Sequence, residues 1–396
     1  MSSDKYSPVV KDLIHKIYST SSWADDFKNA ISNAHKSAPD ALNEYGIVDL
    51  DSFFNFIERH LKWIPSMEDP RNGMSQRMTI FYFIFDQKSV LQYQTPSEPS
   101  TAAGPLSWLS DWLVCYANEI GRFMDEPQSL TEESLESYYK NPDYHMTDYL
   151  EPRGGWKTFN QFFARSLKPG VRPIAEPSNP VVVVSPADST FDGWADINDG
   201  KITFPDGSST IELKGITWDI SELLRGSQYA DAFKNGTFMH MFLSSKNYHR
   251  EHAPVAGEVV EAFKTQGQVY QEIALDKKKR PYLVRPLPLP GAGDVLDSTV
   301  PVGRDRAGYQ WCQMRGLVVL KTEGFGLVAV LPIGMAQVSS VMLTAQKGVT
   351  LAKGEELSYF QFGGSDIVVV FEKRVTFSAE RNIPYRVGEK IGTFRQ

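Results

Sequence analysis

The sequence is poor in cysteine, with only Cys115 and Cys312 among 396 residues. Two cysteines cannot build a disulfide framework, which fits a reducing compartment, so a cytoplasmic location is expected. Long apolar runs are missing as well. The longest, Met78 to Phe85 with Thr79 inside it, falls far short of the roughly 18 residues a membrane span needs. The first residues, Met-Ser-Ser-Asp-Lys-Tyr, lack a basic stretch followed by an apolar one. No secretory leader and no stable membrane anchor are therefore expected. The leading part is also short of positive charge: residues 1–150 carry 22 acids and 12 bases, against 26 and 29 in the remaining 246. The net charge of −7 is thus concentrated in front. There it repels nucleic acid and anionic lipid, and no nucleic-acid partner is expected.

Ordinary globular material fills the chain, with 41% apolar and 22% charged residues, which excludes wholesale disorder. The first 150 residues read as helical. Phe53, Phe54, Ile57, Leu61 and Ile64 recur at three and four, as do Leu109, Trp112, Leu113, Tyr116, Ile120 and Phe123. Pro105 opens the second of these helices and Pro127 ends it. Trp23, Phe27, Ile31 and Ala34 predict an earlier helix. Ser129 with Glu132 has the pattern of a capping box before a short helix to Lys140. Gln94 to Pro105 reads as a loop.

After Pro152-Arg153-Gly154-Gly155 the pattern changes. One more helix is expected around Phe159 to Arg165, and a short one near Ile220 to Arg225. From Val181 onward strand signals dominate: 181–184, 257–263, 317–321, 326–331 and 367–371. The expected architecture is α+β, with a helical region over 1–150 and a mostly antiparallel β catalytic domain over 151–396. Lys353-Gly-Glu-Glu-Leu-Ser-Tyr-Phe360 echoes Val387-Gly-Glu-Lys-Ile-Gly-Thr-Phe394. Such Gly-Glu turns before strands resemble those of lipoyl-type barrels, but no exposed hairpin lysine accompanies them, so a carrier role is not favoured.

Four clusters could carry chemistry. Gly363-Gly364-Ser365-Asp366 fails as a hydrolase elbow, because Ile367 stands where Gly is required and a strand follows. Locally it reads as a turn or bulge. Tyr248-His249-Arg250-Glu251-His252-Ala253-Pro254 holds two histidines before a glycine turn, which favours an acid/base site. Zinc ligation by His240, His249 and His252 is the weaker reading, since no cysteine is close in sequence. Asp188, at the end of a valine run, could orient a histidine, so Asp188, His252 and Ser365 could fill three triad roles. Asp276-Lys-Lys-Lys-Arg280, followed by Pro281, Pro286, Pro288, Pro290 and Gly291, reads as a long basic loop, either solvated or a lid for a carboxylate substrate.

Together these clusters resemble the phosphatidylserine decarboxylases and their soluble amino-acid-decarboxylating relatives. The resemblance rests on Phe162-Phe-Ala-Arg-Ser-Leu-Lys-Pro-Gly-Val-Arg-Pro173, Val184-Ser-Pro-Ala-Asp188, Leu213-Lys-Gly215 through Leu224, Asn247-Tyr-His-Arg-Glu-His-Ala-Pro254 with Gly257, Val328–Met335, and Lys353-Gly-Glu-Glu through Ser365. These stand in family order over roughly 150–396. The resemblance reverses the local reading of Ser365. It implies autocatalytic cleavage between Gly364 and Ser365, with Ser365 becoming a covalent pyruvoyl cofactor. His252, oriented by Asp188, would take the serine proton, and His249 would protonate the carbanion left by decarboxylation of a Schiff base. No metal is implied. It also implies processed chains that stay associated, as a homodimer of pairs. Asp366 stands where the membrane enzymes commonly have Thr, and Ser189 where they commonly have Gly. With the acidic, helical front, these departures point to a free aromatic L-amino acid, tryptophan first, as the small-molecule substrate. Phosphatidylserine is the alternative, and an uncleaved binding protein is the alternative of another class.

Overall fold

The computed structural model describes residues 5–69, 71, 73–204, 216–284, 308–335, 340–362 and 364–395. Its helices are Pro8–Ser19 (α1), Trp23–Ser37 (α2), Pro39–Glu44 (α3), Leu50–Leu61 (α4), Met74–Phe85 (α5), Lys88–Leu91 (α6), Trp108–Met124 (α7), Glu132–Lys140 (α8), Phe159–Phe163 (α9) and Ile220–Leu223 (α10). α4 starts at a reciprocal cap. Asp49 accepts from the Ser52 amide at 2.8 Å while Ser52 Oγ accepts from the Asp49 amide at 2.8 Å. Its apolar stripe then buries Phe53, Phe54, Ile57 and Leu61. α5 has no polar face in its second half, because every residue from Met78 to Phe85 is buried. A helix apolar all round sits inside a core, and α5 does so between α2 and a β-hairpin.

Two sequence expectations change here. The box that opens α8 is Thr131 with Ser134, not Ser129 with Glu132. Ser129 Oγ instead accepts from the Phe159 amide at 2.9 Å, tying the end of α7 to α9. The basic segment is no long loop where it is described. Glu272–Leu275 and Pro281–Val284 pair antiparallel, with Asp276–Arg280 as the turn between them. Asp276 Oδ1 accepts from the amides of Lys278 at 2.8 Å and Arg280 at 2.9 Å, which closes that turn. Pro286, Pro288, Pro290 and Gly291 lie outside the described residues, as does Leu213-Lys-Gly215.

The part of the chain after residue 150 is built on a curled antiparallel sheet of eight strands. In chain order we number them Ser189–Asp196 (β1), Thr237–Leu243 (β2), Gly257–Thr265 (β3), Arg315–Lys321 (β4), Leu327–Met335 (β5), Thr350–Leu351 (β6), Gly364–Phe371 (β7) and Pro384–Tyr385 (β8). Their order across the sheet is β6-β3-β4-β5-β7-β2-β1-β8. β7 therefore runs through the interior, flanked by β5 and β2. Strand alternation sends Ile367, Val369 and Phe371 to one core and Val368 and Val370 to another, around Trp218 and Trp311. The two echoed Gly-Glu turns are also related in space. Gly354 and Gly388 both have positive φ, and both pack on Ile174, where an added Cβ would clash.

The core of the helical region extends onto the β half, taking in Tyr248, Val269, Met314, Val341, Phe360 and Phe362. Trp63 meets Phe362 edge-on at 5.6 Å, and Tyr82 donates its hydroxyl to the Val269 carbonyl at 2.5 Å. Across residue 150, the Leu150 amide donates to the Ser166 carbonyl at 2.8 Å. Among the described residues no helix is long and apolar enough to cross a membrane.

Candidate active site

Ser365 is the second residue of β7. Its register partners are Gly334 on β5 and Leu243 on β2. The turn read locally for the serine is thus a strand, and the hydroxyl is fully buried.

The group that faces this hydroxyl is His249. Its Nδ1 lies 3.4 Å from Ser365 Oγ, long for a formed hydrogen bond but within reach for proton transfer. The local sequence explains how the ring arrives there. Just beyond the end of β2, Asn247 Oδ1 accepts from the Ser244 amide at 2.7 Å and the Ser244 hydroxyl at 2.8 Å, turning the chain back. Buried Arg165 clamps this turn by donating to the carbonyls of Lys246 at 3.1 Å and Asn247 at 3.2 Å. Phe163 stacks on the imidazole with centroids 4.0 Å apart. Burial, with the Arg165 charge adding to it, depresses the His249 pKa to about 3. The ring is therefore neutral at ordinary pH and can accept a proton at Nδ1. Its buried Nε2 makes no hydrogen bond of ordinary geometry, although the backbone of Ser244 and Ser245 acts on the ring and favours its protonated form.

Asp188 and His252 stand apart from that pair. Arg172 takes Asp188 through Nε at 3.1 Å and Nη2 at 2.6 Å, and the Val387 amide donates to Asp188 Oδ1 at 2.9 Å. A guanidinium fork matches a carboxylate better than a single ring N–H does, so Asp188 is engaged before it can orient a histidine. His252 Nδ1 lies 2.8 Å from the Gly354 carbonyl, which can only accept. Nδ1 therefore carries the proton, and Nε2 accepts from the Tyr248 hydroxyl at 3.0 Å. Burial lowers the His252 pKa; the Asp188 charge opposes that shift, acting through space. The expected hydrogen-bonded chain Asp188–His252–Ser365 is thus not formed, and His249 takes the place beside the hydroxyl expected for His252.

His240 lies on the opposite face of the sheet. Its Nε2 is 3.0 Å from Asp366 Oδ2 and its Nδ1 is 2.9 Å from Asp192 Oδ2. Burial disfavours its charge, but Asp366 and Asp192 outweigh that effect and raise its pKa to about 9. The three histidines weighed for zinc therefore do not converge. Among the described residues no group of three or more His, Cys, Asp or Glu is placed to hold a metal.

Sequence reasoning missed Arg165, Arg172, Tyr248 and Phe163 as individual contributors. All four lie in the quoted segments, yet Arg172 reaches Asp188 across 16 residues, Arg165 reaches Lys246 and Asn247 across 81 and 82, and Phe163 stacks on a histidine of another segment, so spacing carried no signal for them; Tyr248 lies four residues from its partner His252, and nothing in that spacing marks it as one.

A pyruvoyl group at residue 365 fits these surroundings. The serine oxygen faces a neutral base, and the buried Nε2 of His249 can take up one more polar contact.

Comparison with known proteins matches residues 159–393 to the family model for phosphatidylserine decarboxylase. Phosphatidylserine decarboxylase proenzyme 3 of Schizosaccharomyces pombe is 32% identical over 281 residues, 69% of this chain. That match spans only a quarter (25%) of the yeast protein's own length. The proenzyme of Fusobacterium nucleatum is 30% identical over 72% of this chain and 83% of its own, and that of Anoxybacillus flavithermus 32% over 66% and 85%. Since the family model takes in most of the chain and the bacterial proenzymes align over most of their own length, this chain belongs to the phosphatidylserine decarboxylase family, whose proenzymes depend on a pyruvoyl group formed by autocatalytic cleavage at a serine.

Proposed function

We propose that this chain is a proenzyme that breaks its own backbone between Gly364 and Ser365 and then acts as a carboxy-lyase on the serine headgroup of phosphatidylserine, yielding phosphatidylethanolamine. The observation that carries the cleavage reading is the buried Ser365 hydroxyl 3.4 Å from a neutral His249. The substrate is the one the similar proteins are named for, phosphatidylserine.

His249 Nδ1 takes the hydroxyl proton as Ser365 Oγ attacks the Gly364 carbonyl carbon. The Gly364–Ser365 C–N bond breaks and an ester replaces the amide. Loss of the Ser365 Cα proton expels the Gly364 carboxylate, and water displaces the nitrogen as ammonia. The resulting group supplies a ketone conjugated to a carbonyl, a sink for the electron pair left when CO2 departs. Phe163 and the closed core keep bulk water from the reacting atoms. In the cleaved protein His249, still beside residue 365, would return a proton to carbon. Asp188 and His252 stay outside this step: His252 is held neutral between the Gly354 carbonyl and the Tyr248 hydroxyl, and Asp188 is held by Arg172.

The acidic front favours a second reading, decarboxylation of a free aromatic L-amino acid such as tryptophan, because net charge −10 over residues 1–150 repels an anionic lipid surface. One experiment separates the two. Purified protein is given carboxyl-labelled phosphatidylserine in detergent micelles or labelled L-tryptophan, and released CO2 is counted while intact mass is followed. The expected result is fragments 1–364 and 365–396, with CO2 from the lipid. CO2 from tryptophan alone would overturn the lipid assignment, and an uncut chain of 44.6 kDa that turns over either substrate would overturn the cleavage reading.

A further inference from the structure

Asp366 follows the serine, and alternation turns its side chain to the reverse face of β7, into a closed polar cluster. Asp366 Oδ2 accepts from the Tyr309 hydroxyl at 2.5 Å and lies 3.0 Å from His240 Nε2. The Gln310 amide nitrogen is 3.1 Å from the same ring nitrogen. His240 sits on β2 opposite Val368 of β7 and Gly193 of β1. The β1 register shifts between Phe191 and Gly193, so Asp192 lies in a bulge, which puts its carboxylate on His240 Nδ1. Asp366, His240 and Gln310 have no exposure at all.

Such a cluster is costly. A fully buried carboxylate and imidazole, with the partly exposed Asp192 behind them, are often no more stabilising than well-packed apolar side chains of similar volume, so their value is in fixing a geometry. The geometry at stake is that of residue 365. Once the bond before it is cut, residue 365 is the end of its chain, and its single covalent tether is the Asp366 amide. Strand ends fray unless held.

We propose that the Asp192–His240–Asp366–Tyr309 cluster is an anchor on the reverse face of the sheet that holds residue 365 in place, first as nucleophile and then as the terminal reactive group. The proposal rests on the reading of Gly364–Ser365 as the cleavage site. Asp366 and His240 are positioning residues, since neither touches the Ser365 side chain.

The test uses the full chain carrying Asp366→Asn, with Tyr309→Phe as a variant that removes one hydroxyl and Val370→Ala as a core control on the same face. Hydrogen exchange of the 365–368 amides is read in a Ser365→Ala background, where no cleavage is needed. Appearance of fragment 365–396 and phenylhydrazine labelling of its terminus are read in the cleavable chain. Asp366→Asn is expected to speed exchange at 365–368 and to slow fragment appearance, each at least tenfold relative to Val370→Ala. Tyr309→Phe is expected to do so about threefold, and it decides the matter if Asp366→Asn does not fold. Exchange and cleavage no different from Val370→Ala at equal loss of melting temperature would overturn the anchor. A wild-type chain that stays uncut, with exchange still accelerated by Asp366→Asn, would overturn the cleavage reading and leave the anchor standing.

Discussion

Acidification should unfold this protein through His249 in particular. The ring is held near pKa 3 in the fold, whereas an imidazole in an unfolded chain titrates near 6.5. Between those values only the unfolded chain takes up the proton. The contribution is therefore fully present above pH 6.5 and is lost as pH falls, levelling off near pH 3. From pH 7 to pH 5 the linkage integral for one such group amounts to about 2 kcal/mol. Other groups titrate as well, so the measurement is a difference. Urea unfolding of the Ser365→Ala chain, which should stay whole, is compared at the two pH values with that of the same chain carrying His249→Gln. The parent should lose about 2 kcal/mol more than the His249→Gln chain over this interval. Equal losses in both chains would mean that His249 is hydrated or paired in the fold, and the account of a neutral base beside Ser365 would fail with it.

Other perturbations follow from the same contacts. His240 behaves in the opposite sense: its raised pKa of about 9 gives stability that is present below pH 6.5 and lost as pH rises through 9, so His240→Gln should flatten the alkaline arm of a melting-temperature profile. Arg172→Met leaves Asp188 with its charge almost buried and its guanidinium gone, which should cost about 3–5 kcal/mol in urea unfolding. Trp63→Ala empties the space against Phe362, three residues before Ser365, and should cost about 3–5 kcal/mol by the same assay. Ser365→Ala should leave a single chain of 44.6 kDa by intact mass and abolish CO2 release.

The sequence made some elements legible and hid others for identifiable reasons. α4 and α7 were readable because each has one wet face, so apolar residues recur at three and four. α5 is buried all round from Met78 to Phe85, so it presented only an apolar run without a period. The hairpin at 272–284 was obscured by charge, because its turn is rich in lysine and its strands are four residues each. At the site, the residue types were legible and the pairings were not. Ser365, His249 and His252 could be named from motifs, but His252 Nδ1 binds a carbonyl 102 residues away and Asp188 is claimed by Arg172. Those choices depend on which groups the closed sheet brings near, and local spacing carries none of that.

The place of β7 in the sheet has a consequence for molecularity. The stretch 365–396 contributes an interior strand held on both sides by β5 and β2, and Lys390–Phe394 pairs with Val182–Val184. A cut before Ser365 would leave the 32-residue piece paired to the rest by ladders on several strands. The uncut chain folds in a first-order reaction. The cut protein, once unfolded, is two polymers, and its recovery becomes second order and dependent on concentration. The same fold would then be a state that one chain reaches easily and two chains regain only at high concentration, so heat or denaturant unfolding should be reversible before cleavage and progressively irreversible on dilution after it.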